Sequence, residues 1–308
     1  MDAQLLTDLS GPVALLLDRH ERSARPWYPH ELVPWHEARD VTSGDGQRDD
    51  LPAGVRSALV LNLLTEDNLP CYVTALNESL GSGPPWETWI RRWTAEEMRH
   101  SIVIRDYLTV TRSVDLVALE DARFDHVAHA PVPAAPNALE ALVYVALQEL
   151  ATRIAHANTG RALPDRAGRA IMRRVAADEN LHHRFYRDVV GAALELHPDA
   201  TVLAIDAQVR HFAMPGAGMA DFREHAKAIS AAGIYSVASF HGQVLCPVLL
   251  GQWRLDRLEG LSPPAAAAQQ RTLRFLARMG RLADRLDGGA SPTSPQPDAV
   301  AAQAVRPT

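Results

Sequence analysis

Apolar residues recur every three to four positions over four long stretches of this chain, the period of helices that bury one face. The spacing predicts a helix from about Val55 to Leu80, a second from about Trp86 to Val110, a third from about Asn137 to Thr159 and a fourth from about Asp165 to Leu196. Pro70 falls inside the first and predicts a kink, because proline donates no backbone hydrogen bond and its ring crowds the preceding turn. Gly81-Ser82-Gly83-Pro84-Pro85 ends that helix, Gly160 the third and His197-Pro198 the fourth. Between the second and third the pattern fades into a connection closed by Pro131, Pro133 and Pro136. Later helices fit about 199–213, 219–232, 233–251 and 264–286. The fold class expected is all-α, a four-helix bundle with additional C-terminal helices. Three regions follow: 1–50, a helix near Leu5 to Arg25 and then an arm; 51–286, the bundle; 287–308, a tail without core-forming pattern, expected to be disordered.

The apolar positions of the bundle carry an unusual chemistry. Glu97-Met98-Arg99-His100 and Glu179-Asn180-Leu181-His182 repeat Glu-x-x-His, and each is preceded by a glutamate, Glu66 31 residues earlier and Glu149 30 residues earlier. On a helix, positions i and i+3 share a face, so each Glu-x-x-His can reach one cation. A helical hairpin returns each upstream glutamate beside its pair. Both upstream glutamates follow strongly apolar runs, Leu59-Val60-Leu61-Asn62-Leu63-Leu64 and Leu142-Val143-Tyr144-Val145-Ala146-Leu147. A carboxylate in such surroundings must be paired or bound to metal. Glu66, Glu97, His100, Glu149, Glu179 and His182 thus read as the ligand set of a two-iron site, with one histidine and one terminal carboxylate per iron and two bridging carboxylates. A sulfur-poor donor set argues against structural zinc.

Composition narrows the setting. The chain has 308 residues, 47% of them hydrophobic, ample for a core. It has no apolar run long enough to cross a bilayer and no signal peptide, so no membrane insertion is expected. Cys71 and Cys246 form no metal or redox motif, which fits reduced thiols and a cytoplasmic location. A formal charge of −6 gives no reason to expect nucleic acid.

Five stretches resemble one family: Thr65-Glu66-Asp67-Asn68-Leu69-Pro70, Trp93-Thr94-Ala95-Glu96-Glu97-Met98-Arg99-His100, Gln148-Glu149-Leu150-Ala151-Thr152, Ala177-Asp178-Glu179-Asn180-Leu181-His182, and Gly251-Gln252-Trp253-Arg254-Leu255-Asp256-Arg257-Leu258-Glu259-Gly260-Leu261-Ser262. They are similar to the soluble acyl-[acyl-carrier-protein] desaturases of plants and actinobacteria, over about residues 26–286. The resemblance implies a ferritin-like bundle, two iron ions cycling between Fe2+ and Fe3+, electrons from ferredoxin, dioxygen as oxidant and a homodimer. It also implies the reaction, removal of two hydrogens from adjacent carbons of an acyl chain held as a thioester on acyl carrier protein, leaving a cis alkene and water. The apolar bundle interior shields the oxidant from solvent.

The resemblance assigns further residues. Thr152 shares the face of Glu149, and its hydroxyl is placed near bound dioxygen; a plain bond to a preceding backbone carbonyl is the alternative. Asp178 is placed as the carboxylate behind His100, and Trp35 as the tryptophan joined to it in an electron route. Glu96 and His183 adjoin ligands but turn about 100° away on their helices, outside the expected site. Ala75, Glu78 and Ser79 stand where the family's acyl channel is more apolar, with Glu78 read as facing solvent. Arg271, Arg274, Arg278, Arg281 and Arg285 make a stripe suited to an acidic carrier protein, and Arg19, Arg22 and Arg25 a smaller cluster.

Three other readings stay open on sequence. A related diiron oxygenase, a hydroxylase or N-oxygenase, uses the same ligands; N-oxygenases add a histidine, for which His156 is the nearest candidate and a core histidine the simpler reading. A radical-generating ribonucleotide reductase subunit wants a tyrosine near the first Glu-x-x-His, and Tyr107 lies seven residues after His100. A ferritin-like iron-binding protein needs no turnover at all.

Overall fold

The computed structural model describes residues 2–38, 51–129, 135–219 and 221–288. The fold is all-α, with no strand among the described residues. The expected disorder of 287–308 lies outside them, apart from the two residues that end the last helix.

Two central helices, α7 (Ala138–Ala162) and α8 (Arg166–Leu196), pack along each other. α7 buries residues almost all round, including Leu139, Leu142, Val143, Val145 and Leu147, as a helix enclosed by neighbours must. Asn137 caps it, accepting from the Glu140 amide at 3.0 Å while its own amide donates to the Glu140 carboxylate at 2.9 Å. Asp165 caps α8 through the Gly168 amide at 2.7 Å. Gly160 does not end α7 as the sequence suggested. A Cβ there would lie 3.0 Å from Cβ of Met172, so the glycine serves close packing of α7 on α8.

The first predicted helix is two: α3 (Ala53–Asp67) and α4 (Leu69–Leu80). The Asn68 amide turns back to the Thr65 carbonyl at 3.2 Å, and Pro70 supplies no donor to continue the ladder. The break falls directly after Glu66. α5 (Trp86–Thr111) completes the set of helices that carry the motif residues. The connection after it contains α6 (Leu116–His129), which buries only Leu119 and His126 and so left little apolar period to read.

α1 (Asp2–Ser23) seats Leu5, Leu9, Val13 and Leu17 in the same core as α7 and α8. A short α2 (Pro29–Leu32) follows in the arm. Beyond the bundle come α9 (Pro198–His211), α10 (Phe222–Ala231), a short α11 (Val237–Ser239) that widens into π-type turns through Gln252, and α12 (Pro263–Gly288). Among the described residues no helix is long and apolar enough to cross a membrane.

Candidate metal centre

α3 brings Glu66, α5 Glu97 and His100, α7 Glu149, and α8 Glu179 and His182 to the middle of the bundle, and all six are buried. Their donor atoms form two overlapping groups. Glu66, Glu97, His100 and Glu179 make one and Glu97, Glu149, Glu179 and His182 the other, each with atoms within 4.8 Å of one another. His100 Nδ1 faces Glu97 at 3.3 Å, Glu179 at 3.5 Å and Glu66 at 3.7 Å. His182 Nδ1 faces Glu97 at 2.7 Å, Glu149 at 3.6 Å and Glu179 at 3.8 Å.

Four carboxylates in so dry a space repel one another. Burial pushes the Glu149 carboxyl well above the usual carboxylate range, and the charge of Glu179 adds to it. Burial and Glu179 likewise raise Glu97. Burial alone would depress the two imidazoles, but the Glu97 charge and the other carboxylates beside them hold His100 and His182 well above their usual value. Glu97 Oε1, Glu149 Oε2, Glu179 Oε2 and both Nδ1 atoms make no hydrogen bond. Orphaned buried acceptors that face each other across a few ångströms need positive charge between them. Oxygen and imidazole donors suit iron or manganese, and the sharing of Glu97 and Glu179 suits two ions.

His100 and His182 are held from behind by different partners. Behind His100, Nε2 lies 3.6 Å from Oδ2 of Asp178. Asp178 also accepts from Trp27 at 2.7 Å and from Arg99 and Arg174 at 3.1 Å each. Burial would raise its carboxyl, but the bonds from His100 and Trp27 keep it below the usual value. The tryptophan on Asp178 is therefore Trp27 and not Trp35. Trp35 is 47% exposed and its indole donates to the His30 carbonyl at 3.0 Å. α2 carries the chain outward before Trp35, while Trp27 stays beneath the guanidinium groups of Arg99 and Arg174, 5.0 and 5.5 Å from its ring.

Behind His182 stands Glu96, which helical geometry had set aside. Its Oε2 lies 2.9 Å from Nε2 of His182 and 2.9 Å from Nε2 of His20, and its Oε1 accepts from Arg92 at 2.7 Å. Glu96 does turn away from Glu97 and His100 on its own helix, but in doing so it meets the outer nitrogen of His182 on α8. Burial opposes ionisation of Glu96, and the bonds from His182 and His20 reverse it, holding the carboxyl far below the usual range. His183 stays outside the centre, bonded to the Ala146 carbonyl at 2.8 Å and pushed down by burial to about 4.

Three further residues reach the centre. Trp93 donates to Oε1 of Glu149 at 3.1 Å. His156 Nε2 lies 3.1 Å from Glu66 and 3.5 Å from Glu179, and those two carboxylates overcome burial to raise its imidazole to about 9. Thr152 bonds the carbonyls of Gln148 and Glu149 at 3.1 Å each, and it also lines the cavity beside the carboxylates.

That cavity, of about 80 Å³, touches Glu66, Glu97 and Glu179 and runs along α4 past Tyr72 and Ala75 to Ser79. Glu78 is exposed, away from it. A wider cavity of about 380 Å³ shares Thr65, Thr152 and Pro215 with the first and is walled by Phe212, Phe222, Phe240, Phe275 and Met279. Together they form an apolar path to the carboxylates from the side of α10 and α12. On α12, Arg271 pairs with Asp206 at 2.7 Å, while Arg274, Arg278, Arg281 and Arg285 are exposed. In the smaller cluster Arg19 pairs with Asp188 and Arg22 with Asp18.

The chain matches a family described as Fatty acid desaturase over residues 1–302. It is 39% identical over 278 residues to DesA1 of Mycobacterium tuberculosis H37Rv, named an acyl-[acyl-carrier-protein] desaturase, covering 86% of this chain and 82% of that one. It is 32% identical over 294 residues to the chloroplastic stearoyl-[acyl-carrier-protein] 9-desaturase of Ricinus communis, covering 87% and 74%. The X-ray structure of DesA2 from M. tuberculosis H37Rv superposes with a TM-score of 0.70 at 26% identity, covering 86% of this chain and 99% of that chain.

Proposed function

The chain belongs to the fatty acid desaturase family, and on that premise we propose that it introduces a cis double bond into an acyl chain presented as a thioester on acyl carrier protein. One observation carries the reading: two carboxylate–imidazole groups that share Glu97 and Glu179 lie at an apolar cavity long enough to be followed from Glu66 to Ser79. Glu66, Glu97, His100 and Glu179 would hold one iron and Glu97, Glu149, Glu179 and His182 a second. Bound iron with dioxygen supplies the oxidising power that an unactivated C–H bond demands.

The remaining roles belong to the chain itself. The aromatic and aliphatic walls take the acyl chain out of water and exclude solvent from the carboxylates. Thr152 presents its hydroxyl oxygen to the cavity while its proton is held by a backbone carbonyl, so it is placed to accept and pass on a proton. Asp178 orients His100, and Trp27 marks the side on which ferredoxin delivers electrons. The exposed arginines of α12 stand on the helix that supplies Phe275 and Met279 to the wider cavity, which assigns docking of the acidic carrier to that face. A homodimer is carried over from the family.

The test is turnover of a panel of acyl-carrier proteins with the iron-loaded protein, ferredoxin, its reductase, NADPH and air, read by mass spectrometry. Loss of two hydrogens from the acyl group is the expected result. Gain of one oxygen instead would make the protein an oxygenase, the reading that a third imidazole at Glu66 would then support. Iron uptake and oxidation with no acyl product on any carrier would leave an iron-binding protein and sink the proposal.

A further inference from the structure

On the face of α3 that carries Val60 and Leu64, a cavity of about 280 Å³ opens between α6 and α10. His126, His129 and Asp125 reach it from α6, and Asp221, His225 and Met219 from α10 and the turn before it. The two helices present the same pair: Asp125 and His129 are four residues apart, as are Asp221 and His225. On a helix such residues stand one turn apart on one face.

His126 is the informative member. It is 6% exposed, and neither ring nitrogen has a hydrogen-bond partner. A buried imidazole left with two unmet polar atoms is costly and needs a reason. No part of the desaturase chemistry uses it. Burial also pushes it below the usual histidine value, against the pull of Asp125 and Asp67, a shift toward the neutral form that binds metals. One turn further along α6, His129 Nδ1 lies 3.0 Å from the Asp125 carboxylate. With the Nδ1 proton given to that carboxylate, Nε2 keeps its lone pair for a cation, the arrangement in which a carboxylate stands behind a metal-bound histidine.

We propose that this cavity is a divalent-metal site separate from the bundle centre, taking a borderline cation such as zinc on His126, His129, His225 and the Asp221 carboxylate. Imidazole and carboxylate in a set of four are the chemistry of zinc, nickel or cobalt(II), and the two flanking carboxylates exclude an anion. Among the described residues, the donors that already stand within ligand spacing of one another are those at the bundle centre and His20 with Glu96 and His182 behind it, so binding here draws the side chains together. Asp125, His129 and Asp221 are exposed and His225 half-buried, so their rotation needs no repacking of the core. The ion would clamp α6 to α10 across α3, the helix that carries Glu66, and so brace one wall of the catalytic bundle.

The experiment titrates zinc chloride into the full-length, iron-loaded protein by calorimetry, with iron counted before and after. The expected result is one zinc per chain bound in the micromolar range or tighter, with iron retained and a raised melting temperature. Cobalt(II) in place of zinc is expected to give the intense visible bands of a four-coordinate site. His126→Asn and His225→Asn are each expected to weaken binding about 10–100-fold. His225 is half-buried, so its variant reports on the site even if His126→Asn folds poorly. Absence of a stoichiometric zinc, displacement of iron as the only binding event, or undiminished binding by His225→Asn would each overturn the proposal.

Discussion

The Trp27 indole donates to Oδ2 of Asp178 at 2.7 Å, joining a residue of the N-terminal arm to one that sits beside a ligand on α8. The same carboxylate oxygen lies 3.6 Å from Nε2 of His100, and the indole stacks over that imidazole with centroids 6.4 Å apart. These contacts link the arm to His100 through one buried carboxylate. Trp27→Phe keeps most of the buried ring and removes only the N–H. It is expected to leave iron content unchanged and to slow reduction by ferredoxin about tenfold or more, the scale on which partners behind ligands act. Trp35→Phe is expected to change nothing. Stopped-flow reduction of the two variants checks this; a slow Trp35→Phe beside a normal Trp27→Phe would remove Trp27 from the route.

The convergence of the six candidate residues was readable because they obey helical periodicity, and periodicity is a local property of sequence. Glu97 and His100 share a face whatever else the chain does. The residues behind the ligands obey no such rule. Trp27 and Trp35 sit in one proline-rich arm, and only the outward course of α2 separates the buried indole from the exposed one. Glu96 turns away from Glu97 and His100 on its own helix and meets His182 on α8, while His156, two turns after Glu149 on the same face of α7, meets Glu66 of α3. Such contacts depend on how helices pack. Gly160 misled for the same reason: glycine signals a helix end locally, and here it serves an approach by α8.

Glu96 links two buried imidazoles, so its removal has a defined cost. Glu96→Ala leaves Nε2 of both His20 and His182 without a partner in the core. Affinity for the ion on the His182 side is expected to fall about 10–100-fold, with the His100 side affected less. Iron occupancy should then drop toward one per chain on dialysis against a chelator, and Mössbauer spectra should lose one of two ferrous environments. Glu96→Gln retains an acceptor oxygen and is expected to recover much of the occupancy. Equal loss of both irons in Glu96→Ala would mean that Glu96 supports the fold as a whole and not His182.

The far end of the cavity along α4 is lined by small side chains, Ala75 and Ser79, where bulk would shorten the space open to an acyl chain. Ala75→Leu or Ser79→Leu should therefore penalise the longest accepted chain and spare shorter ones. Overfilling a packed space costs about 1–3 kcal/mol, which corresponds to a loss of roughly five- to 150-fold in kcat/KM for that chain. Glu78→Leu lies outside the cavity and serves as the control. Competition between acyl-carrier proteins of graded length reads the shift. A uniform loss across all lengths would place these residues away from the chain terminus.

Asp188 on α8 pairs with Arg19 of α1 and with its neighbour Arg187. Burial works against its charge, but the bonds from Arg187 and Arg19 outweigh it and hold the carboxyl below its ordinary 3.8. A carboxyl depressed in the folded state contributes stability that is complete above its unfolded value and disappears as pH falls through its folded value. The α1–α8 contact should thus weaken only below about pH 4, the unfolded value of an aspartate. Asp188→Asn is expected to be less stable than the parent by about 1 kcal/mol at pH 7, a modest figure because Arg19 is partly exposed and solvent screens the pair. The gap should begin to close as pH falls below about 4 and vanish once pH passes the lowered folded value, where the parent carries a neutral carboxyl too. Urea unfolding of both proteins through that range checks it: a gap that persists unchanged at low pH would show that the asparagine disturbs packing at α1 and that charge pairing contributes nothing there.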